Sequence, residues 1–276
     1  MADLQLILQT WPMADVRLAA PLFAQHAGGT AADRAQQLAR CRGIAADRLE
    51  ESAARAVVRA WREVGIVAWA LPLTTLPEFA RPVVARAVDL REPDVLVAQI
   101  SFTAPPERIA LRQVVLALPG RWQSTQLIQE QAAKKKTSAV AVMFDVATTG
   151  GIKTMLQSRP SQNQPGKTTE SQSDEPMLEL ATVAPARRIQ VFARRLDYRT
   201  LRQPARERVE DNWRLWLAEL HAVLRPELAG ADRLARTVTT GLVERDAIVA
   251  DANDLGRTGR WLMLRAMAAR LPQETR

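Results

Sequence analysis

One cysteine and two histidines limit the nucleophile and metal chemistry open to this 276-residue chain. Cys41 stands between Arg40 and Arg42, cations of the kind that lower a thiol pKa. A nucleophile also needs an oriented base, and nothing near it in the chain supplies one. A lone cysteine also forms no intramolecular disulfide and builds no multi-cysteine zinc site. His221 neighbours Glu219 on a helical stretch, and His26 is far away; one histidine without a cysteine or second histidine is a poor metal ligand. The run Thr148-Thr149-Gly150-Gly151-Ile152-Lys153-Thr154 looks like a phosphate loop at first sight. Such a loop needs glycine directly before the lysine and another five positions earlier, where Ile152 and Ala147 stand. Glu207, Glu210 and Asp211 lie among Arg206, Arg208 and Arg214, the pattern of a solvated helix face rather than of an acid/base pair. The residues therefore predict no catalytic group, no metal and no cofactor.

Arginine is the one residue type with functional weight. The formal charge is +8, with 33 arginines against 5 lysines, and every lysine lies between Lys134 and Lys167. Half of the excess falls in residues 177–226. Within it, residues 187–214 hold nine arginines. A face that gathers Arg187, Arg188, Arg194, Arg195, Arg199, Arg202, Arg206 and Arg208 attracts phosphates, anionic lipid or an acidic protein. Dispersed, the same residues make a salt-bridged surface, and an arginine-rich, alanine-rich coding bias yields them without any partner. Phe192, Trp213 and Trp216 read as core residues, which leaves few aromatics for stacking on nucleic-acid bases. The expected function is a non-enzymatic protein-interaction or scaffolding module with a protein partner. The alternative is an anionic-surface binder, of lipid or nucleic acid, using segment 187–208; an enzyme of unknown class comes third.

The elements that must position these residues begin with a strand, Leu4 to Gln9. Asp15 to His26 has helical composition, with Pro21 expected to kink or split it. Thr30 to Asp33 forms a capping box for a helix through Cys41, closed by Gly43. Leu49, Ala53, Ala56, Val57, Ala60, Trp61 and Val64 share one helical stripe, and Ile66 to Leu71 follows as a strand. This predicts a small α+β domain over residues 1–73.

From Pro82 the period changes to that of strands: 83–89, 96–103, 109–118, 139–145, 177–183, 188–193 and a short 196–198. Ala147 to Pro176 reads as a long mobile loop. Val209, Trp213, Trp216, Leu217, Leu220, Val223 and Leu224 then form an amphipathic helix between Pro204 and Pro226. The expectation is an antiparallel β-meander or barrel over 83–225, plugged by that helix. A tail, 226–276, packs on it, poorly defined over 231–250 and helical from about Thr258 to Leu271. The fold class is α+β. No apolar run approaches the ~18 residues of a membrane span, and the start of the chain lacks the marks of a secretory signal, so a cytoplasmic location is expected.

This order of elements resembles two known folds. Residues 83–225 look like a pleckstrin-homology-like barrel of the bacterial kind. The likeness rests on the strand runs, on Arg187-Arg188-Ile189-Gln190-Val191 before Leu196-Asp197-Tyr198, and on the helix Asn212-Trp213-Arg214-Leu215-Trp216-Leu217. Residues 31–71, within the 1–73 block, are similar in outline to the C-terminal domain of the ribosomal stalk protein. The resemblance implies a fold and assigns no residue a role.

Overall fold

The computed structural model describes residues 3–101, 103–129 and 168–270. Residues 1–123 and 174–276 make one compact unit and residues 124–173 a second. The chain is α+β, and its N-terminal part is built on apolar alternation along β1 (Asp3–Leu8). Leu6 and Leu8 enter one core, Ile7 another. β1 lies between two antiparallel neighbours, β2 (Ile44–Glu50) and β3 (Ala68–Pro72). One face is covered by α1 (Val16–Ala27), α2 (Ala31–Arg40) and α3 (Glu51–Glu63). Trp61 of α3 fixes that layer: its indole donates to Ala19 O at 2.9 Å and meets Phe23 edge-on at 5.5 Å.

Two expectations change here. Pro21 does not split α1, because both Pro21 and Arg17, whose carbonyl loses its partner, are exposed and water can serve that oxygen. Between α2 and α3 the chain also inserts β2, where the sequence pattern runs from helix to helix. Its buried start, Ala45-Ala46, is small, and its second half exposes Asp47, Arg48 and Glu50, so no β-branched alternation marks it.

A second sheet has the order β11 (Ile248–Val249), β8 (Val114–Gln129), β9 (Thr168–Val183), β10 (Ala186–Phe192), β4 (Val83–Ala85). β10–β4 and β11–β8 are parallel pairs, so the sheet is mixed rather than a pure meander. A third sheet orders β5 (Ala87–Asp89), β6 (Val95–Gln99) and β7 (Glu107–Ala110). Among the described residues no barrel closes. The chain changes sheets at Arg86, so β4 joins β10 while β5 joins β6. The edges of the five-stranded sheet are strands of three and two residues, too short to pair around a circle.

The tryptophan helix, α4 (Val209–Val223), is present as expected but covers an open sheet instead of plugging a barrel. Its Trp213, Trp216, Leu217 and Leu220 share a core with Leu178, Leu180, Ile189 and Val191. Segment 168–176, expected in the mobile loop, is strand β9. β9 is hydrogen-bonded between β8 and β10, a pairing that a polar sequence does not announce. The expected strand 139–145, the Thr148–Thr154 run and the remainder of the loop, 147–167, lie outside the described residues. Leu196 to Tyr198 is not a strand; Asp197 caps a short turn, accepting from Arg199 N at 3.0 Å.

The tail is better formed than its sequence suggests. α5 (Ala231–Thr240) runs between left-handed Gly230 and Gly241. α6 (Ala252–Ala268) starts well before Thr258. It packs with Ile7, Trp69 and Leu71 of the first sheet and with Leu116, Leu118 and Met177 of the second in one core. Trp261 is its anchor, fully buried and donating to Leu8 O at 2.7 Å.

Candidate ligand groove

Strand alternation puts Glu179 of β9 and Arg188 and Gln190 of β10 on the sheet face opposite the core that holds Leu178, Leu180, Ile189 and Val191. Glu179 is 1% exposed and Arg188 17%. Arg188 grips it with both prongs, Nε to Oε1 at 2.8 Å and Nη2 to Oε2 at 3.0 Å, and Gln190 adds a bond at 3.4 Å. α6 passes directly over this pair because residue 256 is glycine: a Cβ there would collide with the Arg188 guanidinium. Gly259 has the same cause, since its Cβ would lie 2.5 Å from Leu116. Helix-weakening glycines thus mark close approach, not a helix end.

Beside this crossing opens a groove of ≈ 770 Å³. One wall is the end of α2, with Gln37, Arg40 and Cys41, and five consecutive residues of β2, Ile44 to Arg48. The other is α6, with Gly256, Arg257, Arg260 and Met263; Leu73, Leu76, Pro77, Glu78 and Phe79 complete it above Glu179 and Arg188. Arg260 donates to the buried Gln5 at 3.2 Å, whose amide bonds Pro72 O at 3.2 Å. Arg40, Arg48 and Arg257 are exposed and form no ion pair with any described residue. Arg188 and Glu179 neutralise each other, so arginines outnumber the remaining carboxylates, Asp47 and Glu78, along the groove.

Cys41 lines the groove as a neutral thiol. Burial pushes its pKa up to about 11, against smaller lowering by the backbone amides of Gly43 and of Cys41 itself. The expectation that Arg40 and Arg42 depress it fails. Arg40 is exposed, and Arg42 turns to Asp254 at 3.4 Å and to Asp246 O at 3.2 Å. Neither histidine lines the groove; His221 is exposed on α4 and His26 is half-buried in α1. Among the described residues, no three His, Cys, Asp or Glu side chains are grouped to hold a metal.

The arginines singled out from sequence are dispersed. Arg187 and Arg188 are adjacent in β10 and so point to opposite faces; Arg187 pairs with Glu107 of β7. Arg194 and Arg195 sit in the turn after β10. There Glu175 accepts from the Arg194 amide at 2.9 Å, and Arg195 lies over Phe192 at 4.5 Å. Arg199 pairs with Asp197 and holds that carboxyl below the usual range. Arg202 donates to Leu90 O at 2.7 Å. Arg206 meets Asn212 through its backbone at 2.6 and 2.8 Å, and Arg208 begins α4. Of the set, only Arg188 reaches the groove.

Sequence reasoning places Arg40 only beside Cys41 and does not group Arg40, Arg48, Arg257 and Arg260 as a binding set. They come from a helix end, an unrecognised strand and a helix more than two hundred positions away, with no local run to flag them. The only available signal was the Arg257/Arg260 spacing, which places two cations on one helical face. Compared with known proteins, the chain matches no family model, no curated protein and no solved structure.

Proposed function

We propose that this protein is a non-enzymatic interaction module that holds an acidic segment of a partner protein in the groove beside β2 and α6. The observation that carries this reading is the convergence of Arg40, Arg48 and Arg257, without ion-pair partners among the described residues, on one concavity whose lining also includes Leu76, Phe79 and Met263. Guanidinium groups bind carboxylates bidentately and are more weakly hydrated than ammonium groups. Leu76, Phe79 and Met263 offer the apolar contacts that pure charge attraction lacks. Phe79 is the one aromatic of the lining and is half-buried, so the stacking platform of a single-stranded nucleic-acid binder is missing from it. The neutral Cys41 thiol and the sequestered Glu179 favour holding a ligand over attacking one.

The test uses a fluorescent octapeptide alternating glutamate and valine, titrated with the full chain at low salt and read by anisotropy. Arg40→Glu, Arg48→Glu and Arg257→Glu together weaken binding by about 30-fold or more. The same change at Arg194, Arg206 and Arg208 leaves it within about threefold. Loss from the second set and not the first, or no binding at all, overturns the reading.

A further inference from the structure

We infer, building on the groove reading, that the acidic segment binds as an added β-strand on the free edge of β2. In a strand, successive side chains point to opposite faces. Five consecutive β2 residues, Ile44 to Arg48, border the groove, so the groove runs along the length of the strand. Among the described residues β1 is the only strand beside β2 in its sheet, which makes β2 an edge. The edge already carries a substitute partner at its buried end. The Gln37 side-chain amide donates to Ala45 O at 2.7 Å, in the place where an incoming peptide N–H would sit. The Ala45 carbonyl therefore points away from β1, and β2 is bulged against β1 on both sides of Ala46, with Leu4 opposite Leu49, Leu6 opposite Ala46 and Ile7 opposite Ile44, an irregularity common at sheet edges. From Asp47 onward the strand is open, apart from half-buried Leu49. Edge addition supplies main-chain hydrogen bonds for affinity and alternating side-chain sites for specificity. Arg48 on the strand, with Arg40 and Arg257 on the walls, selects acidic residues on the guest, and the apolar lining takes the residues between them.

The experiment uses the full chain and the glutamate–valine octapeptide, N-methylated at one backbone position at a time. N-methylation in one alternate set weakens binding about tenfold per site. In the other set it changes binding less than about twofold, because those amides face away. Amides in the second half of β2, Asp47 to Glu50, gain hydrogen-exchange protection on peptide addition. Binding that ignores every N-methyl group but still disappears in the Arg40/Arg48/Arg257 charge reversal overturns strand addition and leaves the groove reading standing. Absence of peptide binding, or tighter binding of an equally charged single-stranded oligonucleotide, overturns both.

Discussion

Arg188 and Arg257 reach the same groove from opposite sides and show two uses of one side chain. Arg188 belongs to the dense run 187–208 that dominates the linear charge map. It is nevertheless mostly buried, clasped to Glu179 and capped by the backbone of α6 at Gly256. Arg257 has no remarkable neighbours in sequence, is exposed, and has no ion-pair partner among the described residues. Local charge density therefore misleads in this chain. Alternation in β10 and the turns after it spread the run over separate faces and pair four of its eight arginines, Arg187, Arg188, Arg195 and Arg199, with carboxylates. Folding instead assembles a cationic concavity from single arginines far apart in the chain.

If Arg188 is structural, its removal acts on stability first. Arg188→Met leaves the Glu179 carboxylate buried without its counter-charge, at a cost of about 3–5 kcal/mol in chemical denaturation. Adding Glu179→Leu restores most of that loss, because the pair as a whole contributes little net energy. A loss below about 1 kcal/mol would place Arg188 with the ligand arginines. Gly256→Ala sharpens the contrast from the helix side. The new methyl displaces the guanidinium, and stability falls by about 1–3 kcal/mol, while Arg257, one residue on, accepts alanine within about 0.5 kcal/mol.

The smallest effect concerns Cys41. Its folded pKa lies above its ordinary value of 9.0, so its contribution to stability is fully present below pH 9.0 and is lost as pH rises through about 11. Cys41→Ser removes that alkaline component of the stability profile, and thiol labelling of the native chain at neutral pH is slow. Rapid labelling at neutral pH would show a thiolate and reopen the nucleophile question.

What the sequence made legible follows from how local each signal is. Thr30 caps its helix as read, accepting from Asp33 N at 3.1 Å. The stripe through Trp213 and Trp216 buries as its spacing requires, whereas of the α3 stripe Val57 and Trp61 are buried, Leu49 belongs to β2 and Val64 is exposed, the buried face being turned toward Ala54 and Val58. The misses have long-range causes. β2 is held by pairing with β1 and has little apolar alternation of its own. α6 begins early because Gly256 and Gly259 answer to Arg188 and Leu116, residues far away in the chain. The open sheet results from a change of partner at Arg86 that no pattern of hydrophobicity encodes. The groove was hidden for the same reason: it exists only once α2, β2 and α6 are neighbours, and Gly43 with Trp261 helps to make them so.

We propose that cations assembled by the fold, and not the run in the sequence, meet the ligand. Arginine side-chain Nε–Hε spectra of the full chain, recorded while the glutamate–valine octapeptide is added, test it most directly. The signals of Arg40, Arg48 and Arg257 are expected to shift with one saturable affinity while those of Arg194, Arg206 and Arg208 stay fixed. Movement of the second group with the first at rest would contradict it.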